Sequence, residues 1–263
     1  MKTVTSVAGM KALTRGWARA GRRIGLVPTM GYLHEGHLSL VRASKKRADV
    51  TVVSVFVNPI QFGPDEDYAR YPRDPAKDAL YLERGGVDCL FYPEAAEIYP
   101  PGYRTFVEVR DLQDKLCGRS RPGHFRGVAT VVLKLFEIVR PDQAFFGAKD
   151  AQQVLIIRRM AADLDLDVEV VTRPIVREQD GLAMSSRNAY LSPEERQAAR
   201  ALSAGLRWAE KAVAAGERDA ARIVAGVRSL VEAEPLARID YVEAVDPETL
   251  DPVPAMRGQV LVA

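Results

Sequence analysis

Two of the chain's three histidines, His34 and His37, lie around Gly36 in the stretch Pro28-Thr29-Met30-Gly31-Tyr32-Leu33-His34-Glu35-Gly36-His37. The apolar run Ile24-Gly25-Leu26-Val27 before it reads as a buried strand, and Leu38, Leu40, Val41 and Ala48 after it fall on one side of a helix. A strand, a glycine turn and a helix N-terminus together offer unpaired backbone N–H groups and a positive dipole end to an anion. The imidazoles add side-chain donors, so the chemistry indicated is the binding of nucleotide phosphates. Zinc is the alternative, but zinc proteases space their histidines four apart with a glutamate between them, and no obvious third ligand lies near this pair. A purely structural role for both rings is the other alternative.

Further polar segments stand where apolar runs end. Asn58 and Gln61 follow Val55-Phe56-Val57, and their amides suit hydroxyl and carboxylate oxygens, although Asn58-Pro59 also reads as a plain turn. Gly118 to Gly127 holds the third histidine, His124, among arginines and glycines, and reads either as a mobile basic loop able to close over polyphosphate or as a solvated surface loop. Phe146-Gly147-Ala148-Lys149-Asp150 places a lysine at a strand end, with Asp150 as a helix cap and Gln153 one turn into the helix that follows. Ser185, Ser186 and Arg187, after Met184, supply two hydroxyls and a fixed fork of donors. Neither the Walker order G-x-x-x-x-G-K-[ST] nor the Rossmann order G-x-G-x-x-G is present.

The elements that must position these groups alternate. Val50 to Val57, Asp88 to Tyr92, Gln143 to Phe146 and Val168 to Val171 read as strands, and Lys77 to Arg84, Val128 to Val139 and Ala151 to Ala162 as helices. The alternation predicts an α/β domain over 1–174 with a parallel sheet, whose ligands gather beyond the carboxyl ends of the strands. A smaller α+β domain over 175–263 is expected to follow and to close over the active site. Its helix starts at Ser192-Pro193-Glu194-Glu195 and runs to Gly216; a second helix (220–233) and a strand (239–245) come after it.

Composition excludes several classes. With 37 basic against 35 acidic residues, the net charge of +2 argues against binding nucleic acid or a membrane by bulk charge. Cys89 and Cys117 are too few for a disulfide framework or a zinc ribbon, which points to a reduced, cytoplasmic compartment. No apolar run approaches the ~20 residues needed to span a bilayer, and Met1-Lys2-Thr3-Val4-Thr5 lacks the apolar core of a signal peptide.

Taken in order, Pro28-Thr29-Met30-Gly31 with His34-Glu35-Gly36-His37, Phe56 to Phe62, Tyr71-Pro72-Arg73, Arg121 to Val128, Phe146 to Asp150 with Gln152-Gln153, and Asp180 to Asn188 resemble the pantoate-beta-alanine ligase family of HIGH-motif nucleotidyltransferases. The resemblance implies a Rossmann-like catalytic domain and an AMP-forming ligase that joins pantoate to beta-alanine through a pantoyl adenylate, with ATP as substrate and Mg²⁺ carried on it. It implies His37, His34 and Lys149 as catalytic residues. Thr29, Met30, Gly31, Gly36, Gly147, Asp150, Val176, Met184, Ser185, Ser186 and Arg187 join them around ATP. Asn58, Gln61, His124 and Gln153 are implied as substrate-binding, and a homodimer is expected. Three rivals remain at this point: a related transferase acting on a phosphorylated acceptor, a module that senses a nucleotide without turnover, and a tRNA-charging enzyme that shares the histidine turn.

Overall fold

A computed structural model describes residues 1–263. Its elements in chain order are β1 (Lys2–Val4), α1 (Val7–Arg19), β2 (Ile24–Thr29), α2 (Glu35–Lys45), β3 (Val50–Val55), α3 (Pro75–Arg84), β4 (Cys89–Phe91), α4 (Ala95–Ile98), α5 (Cys117–Ser120), α6 (His124–Val139), β5 (Gln143–Gly147), α7 (Ala151–Asp163), β6 (Glu169–Arg173), α8 (Pro193–Ala198), α9 (Arg200–Ala214), α10 (Ala220–Glu232), β7 (Ala244–Val245) and β8 (Leu261–Val262). They fall into two compact units, Met1–Gln113 with Pro122–Val176, and Asp114–Arg121 with Arg177–Ala263.

The first unit is built on a six-stranded sheet of order β1-β4-β3-β2-β5-β6, parallel throughout. Every residue of β3 is buried, as expected for a parallel strand covered on both faces. On one face Leu40 and Val41 of α2 and Leu82 of α3 pack onto Val27, Val53, Leu90 and Phe145. Helices α1, α6 and α7 cover the other. The expected α/β architecture is therefore present. The pair β1 and α1 goes beyond the sequence expectation; the three residues of β1 leave too short a pattern to read. Chain order reverses at β2, which lies between β3 and β5, so the ligand crevice of such a sheet falls at the carboxyl ends of β2 and β5.

Two long-range contacts shape that end of the sheet. The first comes from α3, whose start is set by Asp74 accepting from the Lys77 N–H at 3.0 Å and by Pro75 in the first turn. One turn further on, buried Asp78 accepts from the N–H groups of Tyr32 at 2.8 Å and Leu33 at 2.7 Å. Burial raises its pKa, while the two N–H donors act in the opposite direction. The turn it holds has Gly31 at φ +85° and Tyr32 at φ +52°, both left-handed. A Cβ on Gly31 would also come within 2.9 Å of Val55 and 3.0 Å of the Asp78 carboxylate.

The second contact brings α6 against the short turn Pro59–Gln61. A Cβ on Gly127 would meet the Ile60 carbonyl oxygen at 2.4 Å and the Gln61 backbone nitrogen at 2.7 Å, so only glycine permits this approach. Both readings of Gly118 to Gly127, a mobile basic loop and a solvated surface loop, are corrected here. His124, Phe125 and Gly127 lie buried in the first turn of α6, and Cys117–Ser120 forms a helical turn.

In the second unit, Ser192 and Glu195 form a capping box at the start of α8, as the sequence indicated. The helix does not run on unbroken to Gly216, however, since α8 and α9 are separate around Ala199. Helices α9 and α10 approach closely where Gly226 faces the Trp208 ring, and Ala209, Ile223, Val227 and Val242 form the local core. The strand expected over 239–245 shrinks to Ala244–Val245, paired antiparallel with Leu261–Val262. Asp114–Arg121 is tied into this unit by Lys115 with Asp251 at 2.8 Å, Arg119 with Glu243 at 3.1 Å and Ser120 with Asp240 at 2.8 Å.

Asp78→Ala strips two N–H groups of the β2–α2 turn of their acceptors and should lower stability by about 2–4 kcal/mol. Urea unfolding measures this, and an unchanged midpoint would show that the turn holds itself.

Candidate active site

At the end of β2 the chain enters α2 through its two imidazoles. His34 occupies the N-cap position, and its Nδ1 accepts from the Gly36 N–H at 3.1 Å. His37, at the third helical position, accepts from the His34 N–H at its own Nδ1, at 3.3 Å. The two rings thus do what serine and glutamate do in a conventional capping box, and satisfy two of the N–H groups that a helix start leaves without partners. A nitrogen that accepts a hydrogen bond carries no proton, so each neutral ring holds its proton on Nε2. The ring centroids lie 4.1 Å apart. Backbone hydrogen bonds thereby choose the tautomer, and the turn presents two N–H donors side by side.

Burial, then neighbouring His34, then Lys149 push the His37 pKa down from 6.5 to about 3. His37 is therefore neutral at pH 7, a donor rather than a cation. In the sheet β5 pairs with β2, so the strand end that leads to Lys149 lies beside the one that leads to α2. Lys149 lies in the single 3-10 turn Ala148–Asp150, with its ammonium 3.2 Å from the Asp150 carboxylate. Asp150 occupies the N-cap position of α7 without making the expected side-chain cap. Nothing lies within 4 Å of where a Cβ on Gly147 would sit, so the strand end is open to an incoming group.

Thr29 uses its hydroxyl within the turn, donating to the Ser54 carbonyl at 2.9 Å and accepting from the Gly31 N–H at 3.2 Å. Asn58, expected to touch substrate, is buried and committed within the protein. Its Nδ2 donates to Gln61 Oε1 at 3.0 Å and to the Gly127 carbonyl at 3.1 Å, and its Oδ1 accepts from the Tyr99 hydroxyl at 2.8 Å. His124 is likewise buried, its Nδ1 2.8 Å from the Gln61 carbonyl oxygen, so its contact is with the backbone of the turn. Gln61 Nε2 lies 3.2 Å from the Met30 sulfur, which joins the amide turn to the histidine turn. Gln152 turns inward to the Leu112 carbonyl at 2.9 Å, whereas Gln153 next to it is partly exposed. Val176 follows β6 at the close of the first unit.

Beside Met30 and Gly31 a cavity of about 140 Å³ opens, lined also by Phe56, Tyr68, Arg73 and Asp78. Arg73 is held by the carbonyls of Tyr68 and Tyr71, each at 2.9 Å, which gives the Tyr71-Pro72-Arg73 motif a structural task. Sequence reasoning does not single out Asp78, Tyr99 and Gly127 as residues that shape the site. The contacts that define their roles cross 41 residues or more, and no spacing rule reaches that far.

The remaining sequence candidates, Met184, Ser185, Ser186 and Arg187, belong to the second unit. There the Ser185 side chain caps a short 3-10 turn by accepting from the Arg187 N–H at 3.3 Å, and Ser186 is buried. In the same unit Arg196 bridges Glu178 at 2.6 Å and Asp180 at 3.0 Å, and Glu178 also accepts from Asn188 at 3.1 Å.

The sequence model of the family described as pantoate-beta-alanine ligase matches residues 2–263. A pantothenate synthetase of Heliobacterium modesticaldum is 58% identical over 263 residues, 100% of this chain and 94% of that protein. The crystal structure of pantothenate synthetase from Thermus thermophilus superimposes with a TM-score of 0.94 at 46% identity, covering 99% of this chain and 92% of the other. That of pantoate-beta-alanine ligase from Francisella tularensis, described as complexed with beta-gamma ATP and beta-alanine, aligns with a TM-score of 0.76 at 34% identity, covering 88% and 86%. The chain belongs to the pantoate-beta-alanine ligase family.

Proposed function

We infer that this chain condenses pantoate with beta-alanine at the expense of ATP, giving pantothenate, AMP and pyrophosphate through a pantoyl adenylate. The observation that carries the site reading is the pair of imidazoles whose Nδ1 atoms are engaged at the start of α2, at the switch point of the sheet. Pantoate's carboxylate is already ionised at pH 7 and attacks the α-phosphorus directly; the bond to the bridging oxygen breaks and pyrophosphate departs. Beta-alanine's ammonium gives up a proton to solvent, the free amine attacks the acyl carbon of the adenylate and expels AMP, and the nitrogen loses a second proton to solvent as the amide forms. Negative charge accumulates on phosphoryl oxygens in the first step, so fixed donors and cations provide most of the acceleration. In this reading His34 and His37 donate from Nε2, and Lys149 contributes the charge. Adenylate formation needs no general base, because the attacking carboxylate is already ionised, which suits a His37 that resists protonation.

Gln61 and Gln153 are assigned to pantoate, with Asn58 and His124 supporting Gln61 rather than touching the substrate. Thr29, Met30, Gly31, Gly36, Gly147, Asp150 and Val176 are assigned to the ATP site, with Met184, Ser185, Ser186 and Arg187 of the second unit as further ATP ligands on sequence resemblance. Mg²⁺ is proposed to enter with ATP as part of the substrate. No helix is long and apolar enough to cross a membrane. A cytoplasmic homodimer is proposed as the working state.

The reaction is tested by ATP–pyrophosphate exchange with pantoate present and beta-alanine absent. Exchange that requires pantoate is expected; a folded, ATP-binding protein without it would withdraw the substrate assignment. His37→Ala and Lys149→Ala should each slow adenylate formation by about 10²–10³-fold in single-turnover quench, with little change in pantoate affinity. Weaker pantoate binding with an unaltered chemical step would contradict the roles given to them.

Acid should act through His37. A base whose pKa falls from 6.5 unfolded to about 3 folded takes up its proton more readily in the unfolded chain, so its share of stability is complete above pH 6.5 and is lost as pH falls toward 3. Protonation at Nδ1 also removes the acceptor for the His34 N–H. Replacing His37 by Gln should therefore shrink the stability difference between pH 7 and pH 4, measured by urea unfolding. The same difference in both proteins would mean that other groups carry the acid limb.

A further inference from the structure

An amide side chain offers a donor on one side and an acceptor on the other, and which side faces a ligand is decided by what holds it. The polarity around Gln61 can be followed from a group that has no choice. The Gly127 carbonyl can only accept, so the side of the Asn58 amide that lies 3.1 Å from it must be Nδ2. That same Nδ2 lies 3.0 Å from Gln61, whose near atom must then be Oε1. The opposite side of Asn58 is Oδ1, closed by the Tyr99 hydroxyl at 2.8 Å. Burial pushes the Tyr99 phenol above its ordinary pKa, which keeps the hydroxyl a donor. Gln61 is left with Nε2 as its outward group; one hydrogen faces the Met30 sulfur at 3.2 Å and the other points elsewhere.

We propose that Tyr99 and Asn58 are positioning residues that lock Gln61 with its N–H₂ toward the pantoate subsite, so that this subsite offers donors to hydroxyl and carboxylate oxygens and refuses ammonium groups. The proposal rests on the assignment of Gln61 to pantoate. Its chemistry also separates the two organic substrates, because pantoate offers only oxygen at this point whereas beta-alanine carries a cationic amine that a donor repels. Tyr99 immediately follows α4, its ring 6.2 Å from Phe56 and 5.0 Å from Tyr103, and its hydroxyl bonds the Asn58 amide on the side away from Gln61.

The test is a double-mutant cycle with Tyr99→Phe and Gln61→Ala, reading the KM for pantoate, the KM for ATP, kcat and the unfolding midpoint. Tyr99→Phe removes only the hydroxyl and should raise the pantoate KM about three- to tenfold, with the ATP KM and kcat within about twofold of wild type. In the Gln61→Ala background the same change should leave the pantoate KM where it was. A merely structural Tyr99 predicts a lowered midpoint with an unchanged KM, or an equal effect on KM in both backgrounds, and either result overturns the proposal. A Gln61→Ala protein whose pantoate KM equals wild type would instead remove Gln61 from the substrate, and the proposal with it.

Discussion

The Asp78 carboxylate, which lines the cavity beside Met30 and Gly31, fixes the turn on which the proposed chemistry depends. Asp78 accepts two backbone N–H groups in the turn that leaves β2, and the turn contains two successive left-handed residues. Such a backbone does not hold itself in place, since a non-glycine residue at positive φ is disfavoured unless its surroundings fix it. The angle at which α2 leaves the sheet follows from that anchor, and the position of both imidazoles follows from α2. Asp78 in turn depends on α3 starting where it does, which Asp74 and Pro75 secure. A helix cap on one crossover thus sets the geometry of the turn before another.

Charge is distributed sparingly in the first unit's crevice. The imidazoles spend their Nδ1 lone pairs on backbone N–H groups, which orients them and leaves neutral donors. Lys149 supplies a formal positive charge nearby, and its presence is one of the reasons that His37 stays neutral. On the other side of Met30, the amides of Asn58 and Gln61 provide polarity without charge. An anion entering there meets oriented dipoles on rigid elements, the arrangement that electrostatic preorganisation calls for.

Much of this was legible in the sequence because the informative residues are local. The strand, turn and helix around His34 and His37 announce themselves over twenty residues, and the apolar runs at β3 and β5 locate the strand ends that carry Asn58 and Lys149. What the sequence concealed is long-range. Asn58 reads as a ligand for substrate, and nothing local announces its bonds to the Gly127 carbonyl and the Tyr99 hydroxyl. His124, set among arginines and glycines, reads as part of a loop, although the left-handed Gly123 starts a buried helix there. The break between α8 and α9 was hidden for the opposite reason, since alanine and glutamate favour helix on both sides of Ala199 and nothing in the composition marks the interruption.

The capping role of the two histidines has a consequence for turnover. A site that gripped phosphates with several cations would hold departing pyrophosphate about as firmly as it held the triphosphate, and release would govern the cycle. Rings whose lone pairs are already engaged with the helix start remain uncharged and can strengthen their hydrogen bonds while charge builds on the phosphoryl oxygens, then relinquish the product afterwards. In the proposed reaction, the helix start that keeps the rings neutral also limits how tightly they grip the departing pyrophosphate.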